Sequence, residues 1–203
     1  MYFCASTQAN QVHFTAYHIA LAANTQQHTY LLTPIMTTHQ RIVDKIMPLS
    51  ALRAKAQTWR KQQERIVFSN GCFDLLHQGH IHTLTQAADQ GTKLVVGLNS
   101  DQSVRQLKGD SRPVQDQQTR ALFLASLFWV DAVVIFDQAT PYDLIAALEP
   151  DVLVKGGDYD PNTLVGADLV RSKGGTVLVI PLLAGFSTTK TIEQGLAPKC
   201  YIP

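Results

Sequence analysis

The sequence predicts an α/β chain: a doubly wound parallel sheet of about five strands with helices on both faces. Three observations carry that expectation. Continuously apolar runs of strand length recur along the chain, helix-length segments separate them, and polar or glycine-containing stretches stand where the runs end. Strands buried on both faces read as unbroken apolar runs, and parallel neighbours need a long crossover that a helix supplies.

Leu49, Leu52, Ala56 and Trp59 recur at helical spacing, so an opening helix is expected there with Ser50 as its cap, ending in the polar run 60–65. Strands are expected at 66–68, 94–98, 132–136, 152–154 and 177–180. Helices are expected at 79–88, 101–107, 116–127, 141–148, 163–172 and 188–195. The alternation is Rossmann-like, and it places ligands beyond the carboxyl ends of the strands near the topological switch point.

At 203 residues the chain is long enough for one sizeable core that buries roughly 70 % of the unfolded surface. Hydrophobic residues make up 45 % and charged residues 16 %, with a net charge of +1. That balance gives no footprint for nucleic acid or an anionic membrane, so an anionic ligand must be held by local groups. Cys4, Cys72 and Cys200 are widely spaced and odd in number, which argues against a disulfide framework and fits a reducing cytoplasm. The first 40 residues hold four histidines, His13, His18, His28 and His39, and no Lys, Arg, Asp or Glu. Their most apolar piece, 19–23, is too short for a signal peptide or a membrane span. Residues 1–44 are therefore expected to be a poorly ordered extension, or the product of a mis-assigned start with Met36 or Met47 as alternatives, and 45–203 to be the folded domain.

Chemistry should gather at the strand ends. After the first strand comes Cys72-Phe73-Asp74-Leu75-Leu76-His77-Gln78-Gly79-His80. If a helix begins near Gly79, the two histidines flank its first turn, where free N–H groups and the helix dipole already favour an anion. Gly79 allows close backbone approach. A zinc site would have to recruit Cys72 and His82, which lie off that face, and simple capping or packing is the third reading. Cys72 is expected to offer its backbone N–H and Asp74 to fix the turn. Asn99 and Asp101 after the second strand either bind hydroxyls or cap the next helix. Lys108 and Arg112 in "LKGDSRP" are candidate phosphate clamps, whereas Arg105 and Arg120 on helices read as surface charges. "VKGGDY" contributes Lys155, Gly156 and Asp158, and Ser187, Thr188 and Thr189 open the last helix where hydroxyls and N–H groups can receive phosphates.

"GCFDLLHQGH" with "GFSTTK" resembles the HxGH and STT motifs of the cytidylyltransferase-like nucleotidyltransferases. With "VVGLNSDQSVRQLKGDSRPV", "DVLVKGGDY" and "VGADLV" in this order, the chain from about 45 to 193 is most similar to the bacterial heptose 1-phosphate adenylyltransferases. The resemblance implies attack by the phosphate of D-glycero-β-D-manno-heptose 1-phosphate on the α-phosphorus of ATP, giving ADP-heptose, a lipopolysaccharide precursor, and pyrophosphate. It implies His77, His80 and Lys108 as catalytic groups. Cys72, Phe73, Gly79, Lys155, Gly156, Asp158, Ser187, Thr188 and Thr189 would surround the nucleotide. Asn99, Asp101 and Arg112 would meet the sugar phosphate. Mg²⁺ would ride on the phosphates with no protein-held metal, and a separate heptose kinase would supply the sugar. Leu182 stands where related cytidylyltransferases often carry arginine, which shifts the expectation from cytidine to adenine. Neither membrane nor nucleic-acid partners are implied, and a homo-oligomer is left open. The same fold could instead act on another sugar, polyol or cofactor-precursor phosphate, or serve as a non-catalytic nucleotide-binding module.

Overall fold

The structure, a computed structural model, describes residues 36–188 and residue 192. In chain order the elements are α1 (Thr38–Val43), α2 (Leu49–Lys61), β1 (Ile66–Gly71), α3 (Gln78–Ala88), β2 (Lys93–Asn99), α4 (Asp101–Lys108), α5 (Gln117–Ser126), β3 (Ala132–Phe136), α6 (Tyr142–Leu148), β4 (Val152–Gly156), α7 (Ala167–Ser172) and β5 (Thr176–Ile180). No helix among the described residues is long and apolar enough to cross a membrane.

All five strands are parallel, in the order β3-β2-β1-β4-β5. Each strand sends alternate side chains to opposite faces. Val67, Leu94, Val96, Val133, Val152 and Val154 pack against Leu84, Ala121 and Leu124 of α3 and α5 on one face. Ile66, Phe68, Val95, Val134 and Leu153 pack against Leu52 of α2, Leu144 and Leu148 of α6 and Val170 of α7 on the other. Phe68 is wholly buried, so Phe68→Ala is expected to cost about 3–5 kcal/mol through lost transfer energy and the cavity left behind.

The two ends of the strands are finished differently. At the amino ends, Asp151 Oδ2 accepts from the N–H of Ile66 at 2.7 Å and Asp131 Oδ2 from that of Leu94 at 2.8 Å. Strand-start donors are thus satisfied by local carboxylates. The carboxyl ends open into turns, and because β2 and β4 flank β1 on opposite sides, the chain reverses its winding there.

Three expectations change. A helix, α1, stands inside the segment assigned to the extension: Thr37 caps it by accepting from Gln40 N at 3.1 Å, and Ile42 and Ile46 pack on the core. Reciprocal bonds from Met47 N to Val133 O (3.0 Å) and from Val133 N to Lys45 O (2.8 Å) fasten this segment beside β3. Its few apolar residues are too short a set to show periodicity. The cap of α2 is Pro48 rather than Ser50, which is exposed inside the first turn; proline suits a helix start because it has no N–H to satisfy. Helix α7 begins at Ala167 rather than 163, after Gly166 takes a left-handed conformation at φ 83°. The helix expected at 188–195 lies almost wholly outside the described residues.

Candidate active site

A cavity of about 680 Å³ opens above the carboxyl ends of the strands, where β1 and β4 adjoin. Its floor is the β1–α3 turn. His77 is the N-cap of α3 and His80 the third residue of that helix, and their imidazoles stack at 3.8 Å between centroids and 18° between planes. Phe73 meets His80 edge-on at 5.2 Å and holds a positive φ of 44° to do so. The Nδ1 atoms of both histidines are buried without a hydrogen-bond partner, and no side chain caps this helix. A Cβ on Gly79 would lie 3.1 Å from the His77 ring and 3.4 Å from Phe186 Cβ, so only glycine leaves the pair undisturbed.

Burial and the neighbouring His77 and Lys108 push the His80 pKa down to about 3, and burial also lowers that of His77. Both rings are therefore neutral at pH 7. An arriving polyphosphate would oppose those terms and favour protonation.

Lys108, exposed at the end of α4, and Leu107 line the cavity from the β2 side. From β4 comes Lys155, whose Nζ donates to Asn70 O at 2.9 Å and Asn70 Oδ1 at 3.2 Å, below the Tyr159 ring at 5.8 Å. Burial holds this lysine below its ordinary pKa. Gly156 permits close helix–strand packing, since a Cβ there would meet Thr83 Oγ1 at 2.6 Å. Ser187 and Thr188 close the far side, with Thr188 Oγ1 3.4 Å from Leu75 O. Leu182 and Phe186, both partly exposed, give that rim an apolar lip.

The structure thus gathers His77, His80, Lys108 and Lys155 around one cavity with Ser187 and Thr188. Cys72, Phe73, Gly79 and Gly156 supply its wall. Asn99 also borders it, but its side chain is 4 % exposed and donates to Ser103 Oγ at 2.9 Å, so it serves the fold. Thr189 lies outside the described residues.

Three expected contacts are not in the cavity lining. Asp101 is paired with Arg120 Nη2 at 2.7 Å, Arg112 is buried against Asp74 at 2.5 Å, and Asp158 is exposed between the lining residues Gly156 and Tyr159. Asp101 is thus committed to a partner, whereas Arg112 is held through Nε and keeps its Nη2 buried without one. Arg120 overturns its reading as a surface charge: it is 1 % exposed, and beyond Asp101 it donates to Gln115 O at 2.9 Å, Cys72 O at 2.5 Å and Asn99 O at 2.9 Å. A buried guanidinium needs that many acceptors, and all but Gln115 O, five residues back, lie on other segments.

Asn70, Thr83, Tyr159 and Phe186 line the cleft without having been singled out in the sequence. Asn70, Tyr159 and Phe186 fall inside the strand-end stretches, so position alone could have flagged them. Thr83 carried no such signal. Among the described residues no group of three or more His, Cys, Asp or Glu is placed to hold a metal, including the set that would recruit Cys72 and His82.

Residues 68–190 match the family described as Cytidylyltransferase-like. The bifunctional protein HldE of Koribacter versatilis is 56 % identical over 151 residues, covering 74 % of this chain and 31 % of that protein. The bifunctional protein HldE of Rhodospirillum rubrum is 57 % identical over 150 residues, covering 74 % of this chain and 30 % of that protein. The chain thus spans about a third of the length of these curated relatives. A lipopolysaccharide core biosynthesis protein of Thermoplasma volcanium, solved as a crystal structure, shares 27 % identity over 59 % of this chain and 97 % of its own, with a TM-score of 0.48.

Proposed function

This chain belongs to the cytidylyltransferase-like family, and from that premise we propose that it transfers the adenylyl group of ATP to D-glycero-β-D-manno-heptose 1-phosphate, forming ADP-heptose and pyrophosphate. The carrying observation is the stacked His77–His80 pair at the start of α3, whose buried Nδ1 atoms have no hydrogen-bond partner, with Lys108 on the same cavity. Identity above 50 % to HldE proteins across this domain supports the choice of sugar.

The reaction needs no protein nucleophile. A sugar-phosphate oxygen attacks the α-phosphorus, the bond to the β-phosphate bridge breaks, and pyrophosphate leaves with the electron pair. What the protein supplies is alignment and charge neutralisation. His77 and His80 donate to the phosphate chain, taking up protons as the anion enters. The α3 N-terminus adds backbone N–H groups and its dipole. Lys108 reaches over the cavity as a flexible point charge able to join the two reacting phosphates. Ser187 and Thr188, followed by Thr189, hold the outer phosphates, while Lys155 and Gly156 flank the nucleotide. Asn99 acts by shaping its strand end. Asp158, Asp101 and Arg112 have no direct part in this scheme.

Imidazoles and ammonium groups are poor partners for Mg²⁺, which prefers oxygen ligands, so these residues do not form a resident site. The ion arrives as part of the MgATP substrate. The sugar 1-phosphate must come from a phosphorylating activity, proposed to be a heptose kinase, and ATP supply places the reaction in the cytoplasm.

The test is a product assay with ATP, Mg²⁺ and a panel of sugar, polyol and cofactor-precursor phosphates, followed by mass spectrometry. ADP-heptose should form faster than any other product. Equal or faster adenylylation of another phosphate would reassign the acceptor, and nucleotide binding without turnover of any of them would leave a binding module.

A further inference from the structure

We infer that Asp74 is a positioning residue, acting through the 112–115 loop to hold Lys108 at the histidine pair. The inference rests on the adenylyl-transfer reading and names a residue outside the cavity on which that chemistry depends.

Asp74 sits three residues before His77, is 1 % exposed, and does not line the cavity. All three of its acceptor contacts go to one distant loop. Oδ2 accepts from Arg112 Nε at 2.5 Å, and Oδ1 accepts from the N–H of Val114 at 2.7 Å and of Gln115 at 3.1 Å. The same loop is gripped from behind by Arg120, which bonds Gln115 O and also Cys72 O beside Asp74. The two charged side chains therefore tie the loop to the β1–α3 turn from both ends.

The other end of that loop is Lys108. It is the last residue of α4, the helix stops at Gly109 with φ 90°, and Arg112 N returns to Gly109 O at 3.1 Å. Because Lys108 is exposed, the path of the loop after it decides where its ammonium can reach. A flexible side chain on an untethered loop would spend most of its time away from the phosphates, so tethering contributes by alignment. A short turn needs only one Asx-type bond, whereas Asp74 commits a buried charge and three bonds to residues about 40 positions away.

The experiment is a double-mutant cycle on the full chain. Asp74→Asn should lower kcat by about 10²-fold while the ATP Kd measured by calorimetry stays within about twofold. In a Lys108→Ala background the same change should cost less than about threefold, because its effect runs through Lys108. Arg112→Gln keeps both backbone bonds to Asp74 and guards against an Asp74→Asn protein that does not fold; it should show a smaller loss that likewise vanishes without Lys108. Full additivity with Lys108→Ala, in either variant, overturns the inference.

A second readout is independent of turnover. With ATP as the probe, acylation of Lys108 by an amine-reactive ester, followed by mass spectrometry, should be slowed in the unaltered protein and not in Asp74→Asn. Equal protection in both overturns the inference even if no sugar phosphate proves to be a substrate. If the unaltered protein does not bind ATP, the functional reading fails and this inference falls with it.

Discussion

The β1–α3 and β2–α4 turns have the same build, a central parallel strand running into a helix, yet their polar groups are treated in opposite ways. At β2–α4, Ser100 Oγ accepts from Ser103 N at 3.1 Å, Asn99 donates to Ser103 Oγ, Asp101 binds Arg120, and Ser100 and Ser103 are almost fully buried. Each of these side chains has a protein partner. At β1–α3 the cap position is His77, no side chain caps the helix, and two imidazole nitrogens are buried without partners. Native structures seldom leave buried polar atoms unpaired, and two of the four such side-chain atoms among the described residues belong to this histidine pair, which is the contrast the proposed phosphate site rests on. The difference teaches that polar residues at a strand end mark a ligand site only where the fold has not already used them.

The comparison can be broken by substitution. The largest effect should come from Arg120→Met, which strips four acceptors of their donor and leaves Asp101 unpaired; unfolding free energy should drop by about 3–5 kcal/mol in urea titrations. A protein as stable as the parent would show that the satisfied turn is not held as described. His77→Ala and His80→Ala should instead lower kcat by at least about 10²-fold, near 2.7 kcal/mol of barrier, with the urea midpoint barely moved. Near-normal turnover in either variant would remove that histidine from the phosphate site.

The pH response sharpens the same contrast. Both histidines have folded pKa values below the ordinary 6.5, His80 at about 3, so below pH 6.5 the unfolded chain binds protons that the folded protein refuses. Unfolding free energy then rises with pH through this range. The histidine contribution is present above pH 6.5 and is lost progressively as pH falls toward 3, and thermal melts across that window should show it. His80→Asn should flatten the slope, and ATP binding near pH 6.5 should take up protons, measurable as a buffer-dependent calorimetric heat. The smallest effect is expected from Ser100→Ala, about 1 kcal/mol of stability for a lost helix cap, with kcat unchanged.

Much of the fold was legible because its signals are local. All five apolar runs became strands; β3 keeps the expected bounds, and the other four are lengthened by one to three polar or glycine residues, as in β1, where Ser69, Asn70 and Gly71 extend the ladder. The histidine pair was legible for a similar reason: a three-residue spacing around glycine fixes two side chains to one helix start. Arg120 and Asp74 were not legible. On a helix an arginine reads as solvated, and nothing local says that carbonyls of Cys72 and Asn99, 48 and 21 positions away, converge on it. The ion pairs of Arg112 and Asp101 were illegible for the same reason, since a loop cation and a strand-end carboxylate look free until their partners are known.

By itself, then, the sequence determined the α/β alternation and the placing of His77 and His80 together at one helix start beyond a strand end, all carried by apolar periodicity, glycine and short spacing. The tertiary structure decided the strand order and which charges are committed. Those depend on pairings between segments far apart in the chain, and a charge becomes available or committed only through the burial and partners that folding brings to it.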